Sequence, residues 1–369
     1  MIDIESVLID GINKGASDIH IIEGSRPIFR INRILVEEKE VPTLTRKDVE
    51  DIFEFFINSN DDLKIVYQRE KRLDLNFEIQ NARLRINISS AGGAPIFTAR
   101  IIRSELPQFK NLGLPDVVRK IASLPQGLIL VTGKSNSGKS TTLNALINEI
   151  NHTENKKILT LENPIEFLHT SDKSLVVQKE VGEGKDCVSF GDGIVNALRE
   201  DCDILVIGEI RDKETIEVAL EMAESGHLVI GTMHTRSASE TIDRILGFYD
   251  IADQLTVKYL VSSVLKAVIS QRLINGTDNN LVMIPEIMIV DDVVSGMIRK
   301  EKFSRSEIED AIQSRMEKGS ISFINSLANA VSSKKISLYQ AKRQLDDAGC
   351  ENLMRILNQI KERRINSIY

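Results

Sequence analysis

Cysteine is scarce in this chain of 369 residues: Cys187, Cys202 and Cys350 lie far apart, and no C-x-x-C pair occurs. Such spacing excludes a disulfide framework and a zinc knuckle, and it leaves buried or incidental thiols as the expected role. Long apolar runs are missing too. Stretches such as "LILV" and "ILVI" are a few residues long, against the ~20 needed to cross a bilayer. The start, "MIDIESVLIDGINKGASD", has neither the basic opening nor the uninterrupted apolar segment of a secretory signal. A cytoplasmic location is expected, with any recruitment to the inner face of the cell membrane made through partners. Excess positive charge is also lacking. The 47 basic and 54 acidic residues give a formal net charge of −7, which argues against direct binding of nucleic acid. There is no internal repeat, no low-complexity tract, and no N-K-x-D tetrapeptide of the sort that guanine-binding switches use.

What is present divides into two patterns. Residues 2–14 place Ile4, Val7, Leu8 and Ile12 on one helical face. "ASDIHII" and "RPIFRINRILVEE" read as strands separated by the turn "EGS". "LTRKDVEDIFEFFI" reads as a helix with Thr45 as its N-cap. "RLDLNFEI", "ARLRINISS" and "PIFTARII" alternate apolar and polar residues, as half-buried antiparallel strands do. A small α+β domain over residues 1–104 is expected. "SELPQFKNLGLPD", with its prolines and glycine, reads as an interdomain linker over residues 105–117. Beyond it, "GLILVTG", "KILTLEN", "DILVIGE" and "HLVIGTMH" alternate with stretches of helical period, which implies a parallel sheet flanked by helices over residues 118–369. From about residue 290 only helical patterns follow.

The stretch "VTGKSNSGKSTT", residues 131–142, satisfies G-x-x-x-x-G-K-[ST] through Gly133, Gly138, Lys139 and Ser140. An apolar strand precedes it and the helical "STTLNALINEI" follows, which is the context a phosphate-binding loop requires. Backbone N–H groups of Gly133, Lys134, Ser135, Asn136, Ser137 and Gly138 would curl around a phosphate, aided by the helix start at Lys139, Ser140, Thr141 and Thr142. Lys139 would neutralise the β- and γ-phosphates, and the Ser140 hydroxyl would hold Mg²⁺. Without a guanine motif, ATP is the expected nucleotide. Asn136 lies within the loop, and asparagine tolerates positive φ better than most residues, so it can still complete the curl. Glu209 ends the run "ILVIGE", where a carboxylate past a buried parallel strand can polarise water and help hold the metal.

On these motifs the chain resembles the secretion ATPases, and within them the type IV pilus retraction motors of the PilT family. The resemblance runs nearly end to end, through "GASDIHI", "RLRIN", "FTARII", "LTLENPIEFLH", "ALREDCDILVIGEIRDKETIEVALEMAESGHLVIGTMHT", "TIDRIL", "SQRL" and "GSISFINSLANAVSSKKIS". It implies an N-terminal PAS-like α+β domain, a RecA-like P-loop NTPase domain of α/β class with C-terminal helices, and a homo-hexameric ring with ATP between neighbours. It makes Glu209 the Walker B glutamate and His234 a sensor of the γ-phosphate, with His227 at the other end of the same box. Glu162 and Glu166 fall in the aspartate box, where Asn163 replaces the usual aspartate, and the charge is expected on Glu162. Arg85 and Arg100 match N-domain arginines that reach phosphates across domains or subunits.

Three departures stand out. Lys134, Ser135 and Asn136 replace the usual middle of the loop, Cys202 replaces a proline, and Ser295 falls at the first arginine of the retraction motors' A-I-R-N-L-I-R segment. The reading these features support is ATP hydrolysis driving pilus retraction, as in twitching motility, with an inner-membrane platform protein and the pilus assembly machinery as partners. Alternatives within the superfamily are a pilus-assembly or type II secretion ATPase, or a regulatory ATP-binding paralogue with little turnover. A DNA-translocating motor is a further one. The missing C-x-x-C pairs and the acidic net charge argue against the first and the last of these.

Overall fold

The computed structural model describes residues 2–32, 34–57, 60–80, 82–102, 106–182, 185–278 and 280–366. The chain forms two compact units, Met1–Glu105 and Leu106–Tyr369. The expected border at residues 104 and 105 lies outside the described residues.

In the first unit a helix α1 (Ile4–Asn13) precedes strands β1 (Asp18–Ile21), β2 (Ile28–Ile31) and β3 (Ile34–Glu37). Helices α2 (Arg46–Ile57) and α3 (Asp61–Glu70) follow, then β4 (Leu73–Ile79), β5 (Ala82–Ala91) and β6 (Ala94–Ile102). The strands make one antiparallel sheet in the order β3-β2-β1-β6-β5-β4. Ile4, Val7 and Leu8 bury the expected face of α1, and Asp3 caps its start by accepting from the Ser6 N–H. Thr45 caps α2 as read: its N–H donates to Asp48 while the Asp48 N–H donates to its hydroxyl. The single strand expected over "RPIFRINRILVEE" is instead the hairpin β2–β3, with Ile31 opposite Ile34. Its outer strand leaves Ile34, Leu35 and Val36 exposed on the rim of the sheet.

The second unit begins with α4 (Asp116–Ala122), β7 (Gly127–Thr132), α5 (Lys139–Thr153), β8 (Lys157–Glu162) and β9 (Leu175–Glu180). It continues through α6 (Phe190–Ala197), β10 (Ile204–Ile207), α7 (Lys213–Glu224), β11 (Leu228–Met233), α8 (Ala238–Leu246) and α9 (Ile251–Val264). Strands β12 (Leu265–Asn275) and β13 (Leu281–Ile289) then lead to α10 (Asp292–Arg299), α11 (Arg305–Ser314), α12 (Phe323–Ser332), α13 (Leu338–Lys342) and α14 (Asp347–Asn366). The sheet order is β13-β12-β7-β11-β10-β8-β9, parallel except for β13. Strands β7, β10 and β11 are buried along their whole length, which is why they read as unbroken apolar runs. Alternate residues feed cores on opposite faces, Leu128 and Leu130 on one and Ile129 and Val131 on the other. Phe109 and Leu114, inside the stretch expected as a linker, are buried in the second of these cores. A third cluster joins Ile274 and Ile284 to α12–α14 through Phe323, Leu327 and Leu353.

The two-part α+β then α/β architecture expected from the patterns is observed. Among the described residues, no helix is long and apolar enough to cross a membrane. Cys187 and Cys202 are buried and Cys350 is partly so, all three as free thiols.

Candidate nucleotide site

In a parallel sheet the carboxyl ends of the strands share one edge, and ligands bind there. The loop after β7, Glu162 at the end of β8, Glu209 just past β10 and His234 just past β11 all fall on that edge. Four sequence-distant segments therefore converge because the strands between them run the same way.

The loop itself has the geometry of a phosphate cradle. Gly133 has φ 151° and Gly138 φ 88°, and a Cβ on Gly133 would sit 2.6 Å from the Gln271 carbonyl oxygen. Asn136 adopts φ 60°, the left-handed value its residue type was expected to tolerate. Ser137 is buried, and its Oγ is sealed from solvent with no hydrogen-bond partner. A buried hydroxyl in that state calls for an external partner. The α5 N-terminus begins at Lys139. Together these fit a phosphate.

Lys139 is buried and donates to the carbonyls of Gly133 at 3.0 Å and Lys134 at 3.2 Å. Its Nζ also lies 3.4 Å from His234 Nδ1. An ammonium only donates, so Nδ1 is the acceptor and Nε2 carries the proton that meets Glu209 Oε1 at 2.9 Å. The other oxygen of Glu209 accepts from Arg211. Burial pushes the Glu209 carboxyl up, but Arg211, His234 and Lys139 outweigh it and hold the group below its ordinary range. Burial pulls the Lys139 ammonium down, opposed by the charges of Glu209 and Glu166.

Glu162 behaves differently. It is buried, and its Oε1 accepts from Thr160 at 2.8 Å and Gln178 at 3.0 Å. Burial pushes its carboxyl above the usual range despite those bonds. From this segment, the charge of Glu166 is the one that acts on Lys139. Gly208 stands where many ATPases carry a metal-binding aspartate. A Cβ there would approach the Leu161 carbonyl oxygen to 3.0 Å and the Glu162 Cα to 3.3 Å, so a side chain at 208 would crowd the backbone at the end of β8.

The remaining expected residues divide. Lys134, Ser135 and Asn136 are exposed at the mouth of the loop, and Ser140 and Thr141 are half-buried at the head of α5. Thr142 is buried, with its hydroxyl donating to Gln271 Oε1 at 2.9 Å, so it braces α5 against β12 instead of facing a ligand. His227 sits before the start of β11, ~20 Å along the strand from His234, and bonds to Ser225 and the Met222 carbonyl. Ser295 is buried on α10, and its hydroxyl donates to the Ser262 carbonyl at 2.8 Å.

Arg85 and Arg100 belong to the first unit, where they face each other directly across β5 and β6. Asp18 accepts from Arg100 Nε at 3.0 Å and pairs with Arg30 at 4.0 Å, while Asp74 lies 3.7 Å from Arg85 Nε. Like charges opposed in this way destabilise a sheet, and the two aspartates offset part of that.

Sequence reasoning missed Arg211 and Gln271. Gln271 donates to the Ser137 carbonyl at 2.9 Å from 134 residues away. The motif "SQRL" contains it, but nothing in its spacing shows what it braces. A cleft of about 440 Å³ opens beside Glu209, lined also by Arg211, His234, Thr235, Glu240 and Arg244. Among the described residues no group of three or more His, Cys, Asp or Glu side chains could hold a metal unaided, so the residues present suit a cation that arrives with phosphate oxygens.

A family model described as "Type II/IV secretion system protein" matches residues 1–349. A "Twitching motility protein" of Neisseria gonorrhoeae is 40% identical over 291 residues, 78% of this chain and 77% of its own length. The "Type IV pilus retractation ATPase PilT" of Pseudomonas aeruginosa is 38% identical over 306 residues, 82% of this chain and 87% of its own. The crystal structure of "the Pilus Retraction Motor PilT and Bound ADP" matches with a TM-score of 0.82 at 35% identity, covering 94% of this chain and 98% of that one. With the family model spanning both units, the chain belongs to the Type II/IV secretion system protein family.

Proposed function

We propose that this chain hydrolyses ATP and that the hydrolysis powers retraction of type IV pili. The observation that carries the reading is Glu209: a carboxylate held ionised at a strand tip and linked through His234 to the lysine of the phosphate loop. Two carboxyls pushed in opposite directions, Glu209 down and Glu162 up, support the reading of Glu209 as the water-polarising group. Lys139 has two carbonyls and an imidazole as partners, and phosphate oxygens would replace them. His234 then loses its lysine neighbour and is free to report on the γ-phosphate.

Ser140 and Glu209 would hold Mg²⁺, with Glu162 ordering its water shell. When bound, the ion would supply positive charge against the negative charge that develops on the phosphates. Arg85 and Arg100 supply the remaining positive charge from a neighbouring subunit in a ring of six. Force passes to an inner-membrane platform protein and the pilus assembly machinery. The relatives named for retraction and twitching support this direction of work.

Purified protein tests the chemistry. Lys139→Ala abolishes nucleotide binding and turnover. Glu209→Gln keeps binding and lowers phosphate release ~10²- to 10⁴-fold. Robust hydrolysis by Glu209→Gln would refute the assignment. In cells, loss of the gene leaves excess surface pili, whereas bald cells would mark an assembly motor.

A further inference from the structure

Hydrogen bonds at Glu162 continue well beyond the site. Asn144 lies one turn along α5 from Ser140, and its Nδ2 donates to the Ser140 carbonyl at 2.9 Å. That bond orients the amide, so Oδ1 is the acceptor facing His169 Nε2 at 2.7 Å. Nε2 therefore carries the imidazole proton, and Nδ1 remains a bare acceptor, sealed from solvent and without a partner. The backbone N–H of His169, not its ring, donates to Gln178 Oε1 at 2.8 Å. Gln178 Nε2, on β9, donates to the Phe167 carbonyl at 2.8 Å and to Glu162 Oε1 at 3.0 Å. An unbroken path thus runs from the turn that presents Ser140 to the carboxylate of Glu162.

Stability alone does not account for this path. A buried acceptor without a partner costs folding free energy, and apolar side chains at both 169 and 144 would avoid that cost. An imidazole does one thing there that an apolar group cannot: it couples α5 to the segment between β8 and β9 at a fixed separation.

We infer that Asn144, His169 and Gln178 are positioning residues that set the spacing between Ser140 and Glu162, and with it the geometry offered to the divalent cation. The hydrogen bonds of the three lead to Ser140 and Glu162, and it is through those two that they act. The inference rests on the roles given to those two residues in the proposed function.

The test uses the full chain and a fluorescent ATP analogue, with affinity measured in Mg²⁺ and in EDTA alongside turnover. His169→Leu and Asn144→Ala each weaken the Mg²⁺-dependent part of the affinity and slow turnover ~10- to 100-fold, leaving affinity in EDTA unchanged. The double variant is no worse than either single one, because both cut the same path. His169→Gln, whose amide nitrogen can reach Asn144, restores the Mg²⁺ response relative to His169→Leu. Equal losses in Mg²⁺ and EDTA, or no rescue by glutamine, would overturn the inference in favour of a plain packing role. Glu162→Gln separates the two failures. If it is silent, the reading of the site falls and the brace with it; if it is crippling while His169→Leu is silent, the brace alone falls.

Discussion

Glu209 is pulled in opposite directions by its surroundings, and Arg211 is the largest of the influences holding it ionised. Removing that guanidinium leaves burial less opposed, so the carboxyl pKa rises. Arg211→Ala should therefore move the acid limb of the kcat–pH profile to higher pH, a shift read directly from phosphate release across buffers. His169 offers a second titration. Burial, and secondarily the nearby His152, pull its pKa from 6.5 down to about 4. The folded chain thus resists a proton that the unfolded chain accepts, and the unfolded state binds more protons in between. Its contribution to stability is complete above about 6.5 and is lost as pH falls through about 4, at up to ~1.4 kcal/mol per pH unit. Urea midpoints measured over that window should slope less steeply for His169→Gln. Residues such as Lys139 and Glu209 were legible because a motif or a strand end marks them. Arg211 was not, since an arginine two places past a strand-tip glutamate looks like any solvated charge until its partner is seen.

Between elements, small residues decide how closely helices and strands approach. Ser295 fills the contact of α10 with α9, where Lys258 also donates to the carbonyls of Lys300 and Glu301 at 3.2 and 2.7 Å. An arginine at 295, as in the retraction motors' pattern, would bring volume and an unpaired charge into that contact. Ser295→Arg should lower unfolding stability by ~2 kcal/mol or more in a denaturant titration. Phe109 belongs to the second unit's core, so Phe109→Ala should cost ~3 kcal/mol by the same measurement, whereas a true linker residue would cost almost nothing. Strands β7, β8, β10 and β11 were legible as short β-rich runs. Strand β13, "LVMIPEIMI", was hidden by Pro285, which breaks the usual signal of a strand. The proline is tolerated because β13 is the outermost strand of its sheet, and the bridge its outer edge makes to Ile321 is formed by Ile287, two residues past the proline. Helix α3 escaped for the opposite reason: it buries no residue fully, so it carries no strong apolar stripe.

At the scale of the whole molecule, the site depends on topology more than on any local stretch. The loop after β7, Glu209 after β10, His234 after β11 and Gln271 on β12 belong to four parallel strands, and that shared direction gathers them on one edge. That is why the sequence identified a phosphate loop readily and its supporting residues poorly. The two units make different demands on experiment. If the arginines of the first unit serve a neighbour's nucleotide, turnover per chain should rise with protein concentration as rings assemble. Arg85→Ala with Arg100→Ala should then lower kcat at least ~10³-fold while the analogue still binds, as loss of an arginine finger does. The opposed guanidinium groups carry one more consequence. They repel each other across a single rung, and their two aspartates sit to either side, so a polyanion settling over them would relieve tension already present in the sheet. Salt screens the opposed pair and its two aspartate contacts alike, so the slope of the first unit's stability against ionic strength measures which of the two is the larger.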